Sequence, residues 1–211
     1  MQLPLSQLIF TRFRAVPGTR HVITLHRRGE FLEGMQEIGL AANPGGSVTG
    51  LQASKGVYLG RDVVGYTWFV GPLMQPSPVH FGDAMQEIER FLWDEIDRQP
   101  ENNAELPFLV GAEQGATMAL AMAAATPDLL SGVVAIDPVL PVVPGWEPPL
   151  AHLEGLPILL AGRHPADSDR VLSGNRLAAA FTQWGGNVTV AIDDPGIAGW
   201  TAKQPIRMRP T

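Results

Sequence analysis

A carboxylate stands at the one point in this chain where the spacing of glycines would hold a reactive side chain out for chemistry. Gly111-Ala112-Glu113-Gln114-Gly115 closes an apolar run, Leu106 to Val110, and opens an alanine-rich stretch, Ala116 to Ala125, with no breaker before Pro127. The pattern predicts strand, tight turn and buried helix. Glycines two positions either side of the centre let the backbone reverse sharply and let the helix lie close to the strand, so the central side chain projects from the top of the sheet. A carboxylate held there can act as a covalent nucleophile, but a second group must then activate the water that releases the product. His26 and His164 both follow runs that read as strands, which brings them to the carboxyl edge of a parallel sheet together with Glu113, Asp137 and Asp167. Such a set could hold zinc, or His164 could serve as a displaced base. No pair of the H-x-x-x-H kind is present, so neither a metal nor a cofactor is expected. His21, His80 and His152 read as surface or loop residues.

The elements that must position these groups follow from apolar periodicity. His21 to His26 is a short β-branched strand, Glu30 to Ala42 has helical spacing through Phe31, Leu32, Met35, Ile38 and Leu40, and Ser47 to Ala53 is a second strand. A Gly-rich, aromatic-bearing loop is expected from Gly56 to Phe69, with Tyr66, Trp68 and Phe69 either covering the sheet edge or lining a pocket. Phe81, Met85, Ile88, Leu92 and Ile96 mark one face of an amphipathic helix. Gly132 to Asp137, Leu156 to Gly162 and Asn187 to Ile192 read as further strands, with a helix from Val171 to Trp184 before the last. Strands alternating with helices imply an α/β architecture: a mostly parallel central sheet with helices on both faces, as a single domain over residues 1–211 without a large cap.

Composition narrows the class of function. The net charge of −6 and a pI near 5.3 argue against nucleic acid and anionic membranes as partners. The absence of cysteine excludes disulfides and thiolate metal sites and is compatible with a reducing compartment. No apolar run approaches the roughly 18 to 20 residues needed to span a bilayer, and the first ten residues lack the basic start of a secretory signal. A cytoplasmic protein is expected.

The elbow, its helix and the flanking strands resemble the α/β-hydrolase fold and, within it, the bacterial phospholipase/carboxylesterase family, relatives of acyl-protein thioesterases. Leu25-His26-Arg27-Arg28-Gly29 resembles the family's L-H-G-x-G oxyanion loop, Tyr66-Thr67-Trp68-Phe69 its Y-x-W-F segment, Gly111 to Gly115 its G-x-S-Q-G, and Gly132 to Ala135 the strand that follows. The resemblance implies a serine nucleophile, a histidine base, an orienting aspartate and backbone N–H groups for the oxyanion. Matched residue by residue, Glu113 takes the serine's place and Ile197 the histidine's. Asp167 is the best match for the acid, with Asp169 close to it, while Arg27 replaces an oxyanion-loop glycine and Gln114 matches the glutamine after the nucleophile. The tail from Ala198 to Thr211 is too short, and too broken by prolines, for the family's closing helix.

Two functions are implied. One is a pseudoenzyme: a carboxylesterase-like homologue without serine-hydrolase activity, keeping a binding or structural role, with Glu113 held as a helix-terminal anion or by a salt bridge from Arg27 or Arg28. The other is a hydrolase of carboxylic esters or related bonds that uses Glu113 with a displaced histidine. Gln114, His26, Arg27, Trp68 and His164 are the expected binding residues, a small ester or acyl molecule the expected ligand, and a homodimer the assembly the resemblance implies.

Overall fold

The computed structural model describes residues 6–99, 105–147, 153–162, 168–191 and 196–209. Its centre is three strands, β6 (Phe108–Ala112), β7 (Gly132–Ile136) and β8 (Pro157–Ala161), in which every residue is buried. Both of their faces are covered, which is why they read as unbroken apolar runs. With β1 (Phe10–Arg14), β2 (His21–Leu25), β3 (Ser47–Leu51) and β9 (Asn187–Ala191) they form a seven-stranded sheet in the order β1-β3-β2-β6-β7-β8-β9. All neighbours are parallel except β1 and β3. The β1 strand has no counterpart in the sequence reading, because a short edge strand carrying Thr11, Arg12 and Arg14 and facing largely outward shows no apolar alternation.

Helices cover both faces, as the alternation of elements predicts. On one side α2 (Pro78–Asp97), α3 (Gln114–Ala125) and α4 (Ser168–Gln183) pack Phe81, Phe91, Met118 and Phe181 over Ile23, Leu109 and Val133. Nearly every residue of α3 is buried, and its run of alanines lets the helix lie close to the sheet. On the other side a 3-10 turn (Leu32–Met35) leads into α1 (Gln36–Ala42), over Val22, Val48 and Val110. The described part of the tail does the rest of the covering there, with one 3-10 turn (Thr201–Lys203) and no α-helix among the described residues. Ile197 and Trp200 join that core, and the Trp200 ring meets Phe108 edge-on with centroids 6.3 Å apart. The Arg20 guanidinium donates to the carbonyls of Thr201 and Gln204, and Leu106 N–H donates to Arg207 at 3.0 Å.

Two expectations change. The Gly-rich stretch from Gly56 to Phe69 contains a two-stranded antiparallel hairpin, β4 (Lys55–Leu59) and β5 (Asp62–Thr67), rather than a plain loop. Gly60, at φ 65°, makes its turn, while Val57, Tyr58, Val63 and Val64 supply strand-forming side chains. His21 is not a surface residue. Its Nε2 lies 2.8 Å from the Thr49 hydroxyl and its Nδ1 3.6 Å from the buried Glu95 carboxylate, which Arg12 at 2.9 Å and Arg98 also contact.

Burial pushes the His21 imidazole down from 6.5 to about 4; Glu95 opposes this and Arg12 reinforces it. The unfolded chain therefore takes up the proton first as pH falls. The stabilisation is complete above pH 6.5, is lost as pH drops through the folded value near 4, and totals up to about 3 kcal/mol. Urea unfolding over this range is expected to show His21→Gln losing less stability than the parent on acidification; parallel curves would assign the acid sensitivity to other groups.

Candidate functional site

The turn between β6 and α3 has the strained backbone of an elbow, and a carboxylate stands at its centre. Glu113 closes β6 and precedes α3 at φ 50° and ψ −107°, a conformation that side-chain-bearing residues avoid and that costs on the order of 1–3 kcal/mol. Three contacts over-determine it. Glu113 N–H donates to the Ile136 carbonyl on β7 at 2.9 Å, and its own carbonyl accepts from the Thr117 N–H at 2.9 Å and the Thr117 hydroxyl at 3.1 Å. The glycines on either side have no room for a methyl group: a Cβ on Gly111 would strike the Gly115 carbonyl, and one on Gly115 the carbonyls of Leu25 and His26.

Above this turn passes the loop that follows β2. The Arg28 N–H donates to Glu113 Oε2 at 3.0 Å. The direction of that N–H is fixed because the loop is bonded along β5 like a further strand: Gly29 N–H donates to Tyr66 O at 2.7 Å and Tyr66 N–H to Glu30 O at 3.0 Å. Gly65 must lack a side chain there, since a Cβ would run into the Gly29 carbonyl. The expected salt bridge to Glu113 is absent among the described residues. Arg27 turns to Glu30, reaching its carboxylate through both its N–H and its guanidinium at 3.3 Å, while the Arg28 guanidinium reaches the Gly71 carbonyl at 3.4 Å. Charge attraction loses here to a backbone donor already aimed at the carboxylate. The L-H-x-x-G pattern marked this loop, but a backbone donor carries no residue-type signal.

His26, expected to face the cleft, points into the protein and is fully buried. Its Nδ1 lies 2.7 Å from the Arg27 carbonyl, which can only accept, and its Nε2 3.0 Å from the Ala53 N–H, which can only donate. The ring is therefore neutral with its proton on Nδ1. The Gln52 amide donates to the same Nε2 at 2.8 Å while its oxygen accepts from Leu32 N–H at 3.1 Å. Burial lowers the pKa of His26, with the Arg27 carbonyl opposing. Both nitrogens are spent on structure.

Trp68 and Gln114 also sit behind the site. Trp68 is 1% exposed, stacks at 5.2 Å from His26 and donates its indole N–H to the His26 carbonyl at 2.9 Å. Gln114 ties α3 to the end of β5, accepting from Trp68 N–H at 3.1 Å and donating to Phe69 O at 3.0 Å. These residues hold the loop and the elbow in register, which corrects the expectation that they line a ligand cleft. Ile197, matched to the base position, is 4% exposed and lies in the core on the α1 side with Ala161 and Trp200. Asp137 closes β7 at φ 52° with its N–H on Ala161 O at 2.8 Å. His164 and Asp167 lie outside the described residues. Among those described, no cluster of histidine and carboxylate side chains could hold a metal, and no helix is long and apolar enough to cross a membrane.

No family model matches the chain, and no curated protein matches it by sequence. Solved structures do match by shape. A carboxylesterase from Bacillus cereus superimposes with a TM-score of 0.72 at 16% identity, covering 89% of this chain and 85% of its own. A carboxylesterase from Mesorhizobium loti gives 0.70 at 15%, covering 87% and 88%, and a phospholipase/carboxylesterase from Dyadobacter fermentans gives 0.59 at 15%, covering 92% and 89%. At such identities the likeness is one of architecture. Taken with the parallel sheet, the helices on both its faces and the strained turn between β6 and α3, it establishes that this chain has the α/β-hydrolase fold.

Proposed function

We propose that the chain is a carboxylesterase-like homologue that does not act as a serine hydrolase, and that Glu113 stoppers its former reaction site. The observation that carries this reading is the 3.0 Å bond from Arg28 N–H to Glu113 Oε2. In hydrolases of this fold, an N–H of this loop and the N–H after the nucleophile receive the negative oxygen that develops on the substrate carbonyl. Here one of those donors already holds a carboxylate oxygen. A substrate oxygen would have to displace a charge-assisted bond worth about 1.5–3 kcal/mol. Among the described residues a displaced Glu113 would then find no base, because Ile197 is apolar and both His26 nitrogens are engaged. A binding or structural role remains, with a small ester or acyl molecule as the ligand class suggested by the resemblance.

The test is hydrolysis of short-chain p-nitrophenyl esters by the purified chain beside Glu113→Gln and Glu113→Ser, with and without zinc. All three proteins are expected to match the buffer blank, since a serine restored at the elbow has no base among the described residues. Turnover by the parent that Glu113→Gln abolishes would overturn the reading and make Glu113 the nucleophile, with His164 the first base to substitute.

A further inference from the structure

We infer that β9 is the contact strand of a symmetric dimer, in which two copies of this chain pair antiparallel across Thr189 and join their sheets edge to edge. The inference is independent of what the elbow does. The sheet has two edges, and they are built differently. Strand β1 presents Arg12 and Arg14 with a register shift between them, the features by which edge strands resist pairing with a further chain. Self-pairing of β1 would also gather like charges. Strand β9, Asn187-Val188-Thr189-Val190-Ala191, has no charge, no proline and an unbroken register of five residues against β8. Among the described residues it is the undefended edge.

Its outward hydrogen-bonding groups can be read from the inward ones. Asn187 N–H donates to Leu156 O, and Ala191 O accepts from Gly162 N–H, so Asn187, Thr189 and Ala191 bond towards β8. Val188 and Val190 therefore turn their N–H and C=O groups outward. A two-fold axis at Thr189 sets Val188 opposite Val190 of the second copy, and each such pair exchanges both of its hydrogen bonds. Thr189 then faces Thr189 as the close non-hydrogen-bonded pair, and Asn187 faces Ala191. Every opposed pair is neutral, and Val–Val and Thr–Thr are favourable cross-strand partners. The 46% exposure of Val190 would fall on pairing. The closed symmetry limits growth to two chains.

The full chain is expected to run in light-scattering chromatography at twice its 22.7 kDa. Thr189→Lys and Thr189→Glu place like charges opposite each other across the axis, on an exposed side chain, and each variant is expected to run at half the parent's mass with unchanged circular dichroism. Mixing the two should restore the dimer, because lysine then faces glutamate. Val190→Pro removes an outward N–H without touching the ladder to β8 and should also halve the mass. A monomeric parent, or a dimer that persists through Thr189→Lys and Val190→Pro, would overturn the inference.

Discussion

Gly115→Ala is expected to cost the protein at least about 4 kcal/mol and to lower its melting temperature by roughly 10 °C, an effect in the exceptional range for one added methyl group. The methyl would come within 2.8 Å of the His26 carbonyl and closer still to that of Leu25. Neither oxygen can retreat. Leu25 ends β2, which is paired on one side with β3 and on the other with β6, and its side chain is buried in the core. Moving α3 away instead would strip its alanines from the sheet and pull Gln114 from its partners. Gly82→Ala supplies the internal control. Gly82 lies in α2 with nothing within 4 Å of its built Cβ, so alanine there should stabilise by about 0.8–1 kcal/mol through helix propensity alone. Thermal unfolding of the two variants beside the parent checks both signs. A Gly115→Ala protein as stable as the parent would mean that the elbow is not held as tightly as its contacts state.

The elbow glycines are thus demanded by packing, whatever residue stands between them. Their spacing was legible as a turn and a close approach, and the turn is there. The spacing does not report chemistry, because Gly111 and Gly115 would be required under a serine and are equally required under Glu113. What the side chain does is decided by the Arg28 N–H. That group is invisible in the sequence because every residue except proline has one; its aim comes from the pairing of Gly29 and Glu30 with Tyr66 in the hairpin.

The same distinction explains what else could be read. Strands β6, β7 and β8 were legible because a strand covered on both faces must be apolar throughout, and β2 because of its β-branched run Val22-Ile23-Thr24. The hairpin was not, because Gly56, Gly60 and Gly65 resemble loop punctuation although each serves a different end. Gly60 makes the turn, Gly65 admits the Gly29 carbonyl, and Gly56 lies under the Tyr58 ring. His26, Trp68 and Gln114 were placed at the correct edge of the sheet but read as facing a ligand. Position along a strand says which end of the sheet a residue reaches, not whether its side chain turns to solvent or back into the protein. His21 shows the converse: a histidine opening a strand looked exposed, and only the tertiary approach of β1, β3 and α2 encloses it.

Gln114→Leu is the second substitution with a large expected effect, about 2–4 kcal/mol of lost stability, because it deletes hydrogen bonds while conserving most of the volume. Gln114 is 1% exposed, so water cannot replace what the amide supplies. Trp68 N–H at 3.1 Å loses its acceptor and Phe69 O at 3.0 Å loses a donor, although the Thr67 hydroxyl, 2.8 Å from that same carbonyl, still serves it. The Thr67 hydroxyl also lies 2.7 Å from Gln114 Oε1, and its single proton can go to either oxygen; removing the amide leaves it committed to Phe69. The unpaired Trp68 N–H is therefore the dominant penalty. Gln114→Glu separates hydrogen bonding from shape. The ionised carboxylate accepts from Trp68 but faces the Phe69 carbonyl without a proton to donate, in a site too buried to solvate its charge. Once protonated, it can accept and donate as the amide does. Urea unfolding should therefore show Gln114→Glu strongly destabilised at neutral pH and moving towards the parent as pH falls, whereas Gln114→Leu keeps a constant deficit. If Gln114→Glu and Gln114→Leu track each other at every pH, the amide is serving as packing and the tie between α3 and β5 lies elsewhere. The tie bears on the site because Trp68 holds the His26 carbonyl through its indole N–H, and His26 begins the turn that brings Arg28 over Glu113.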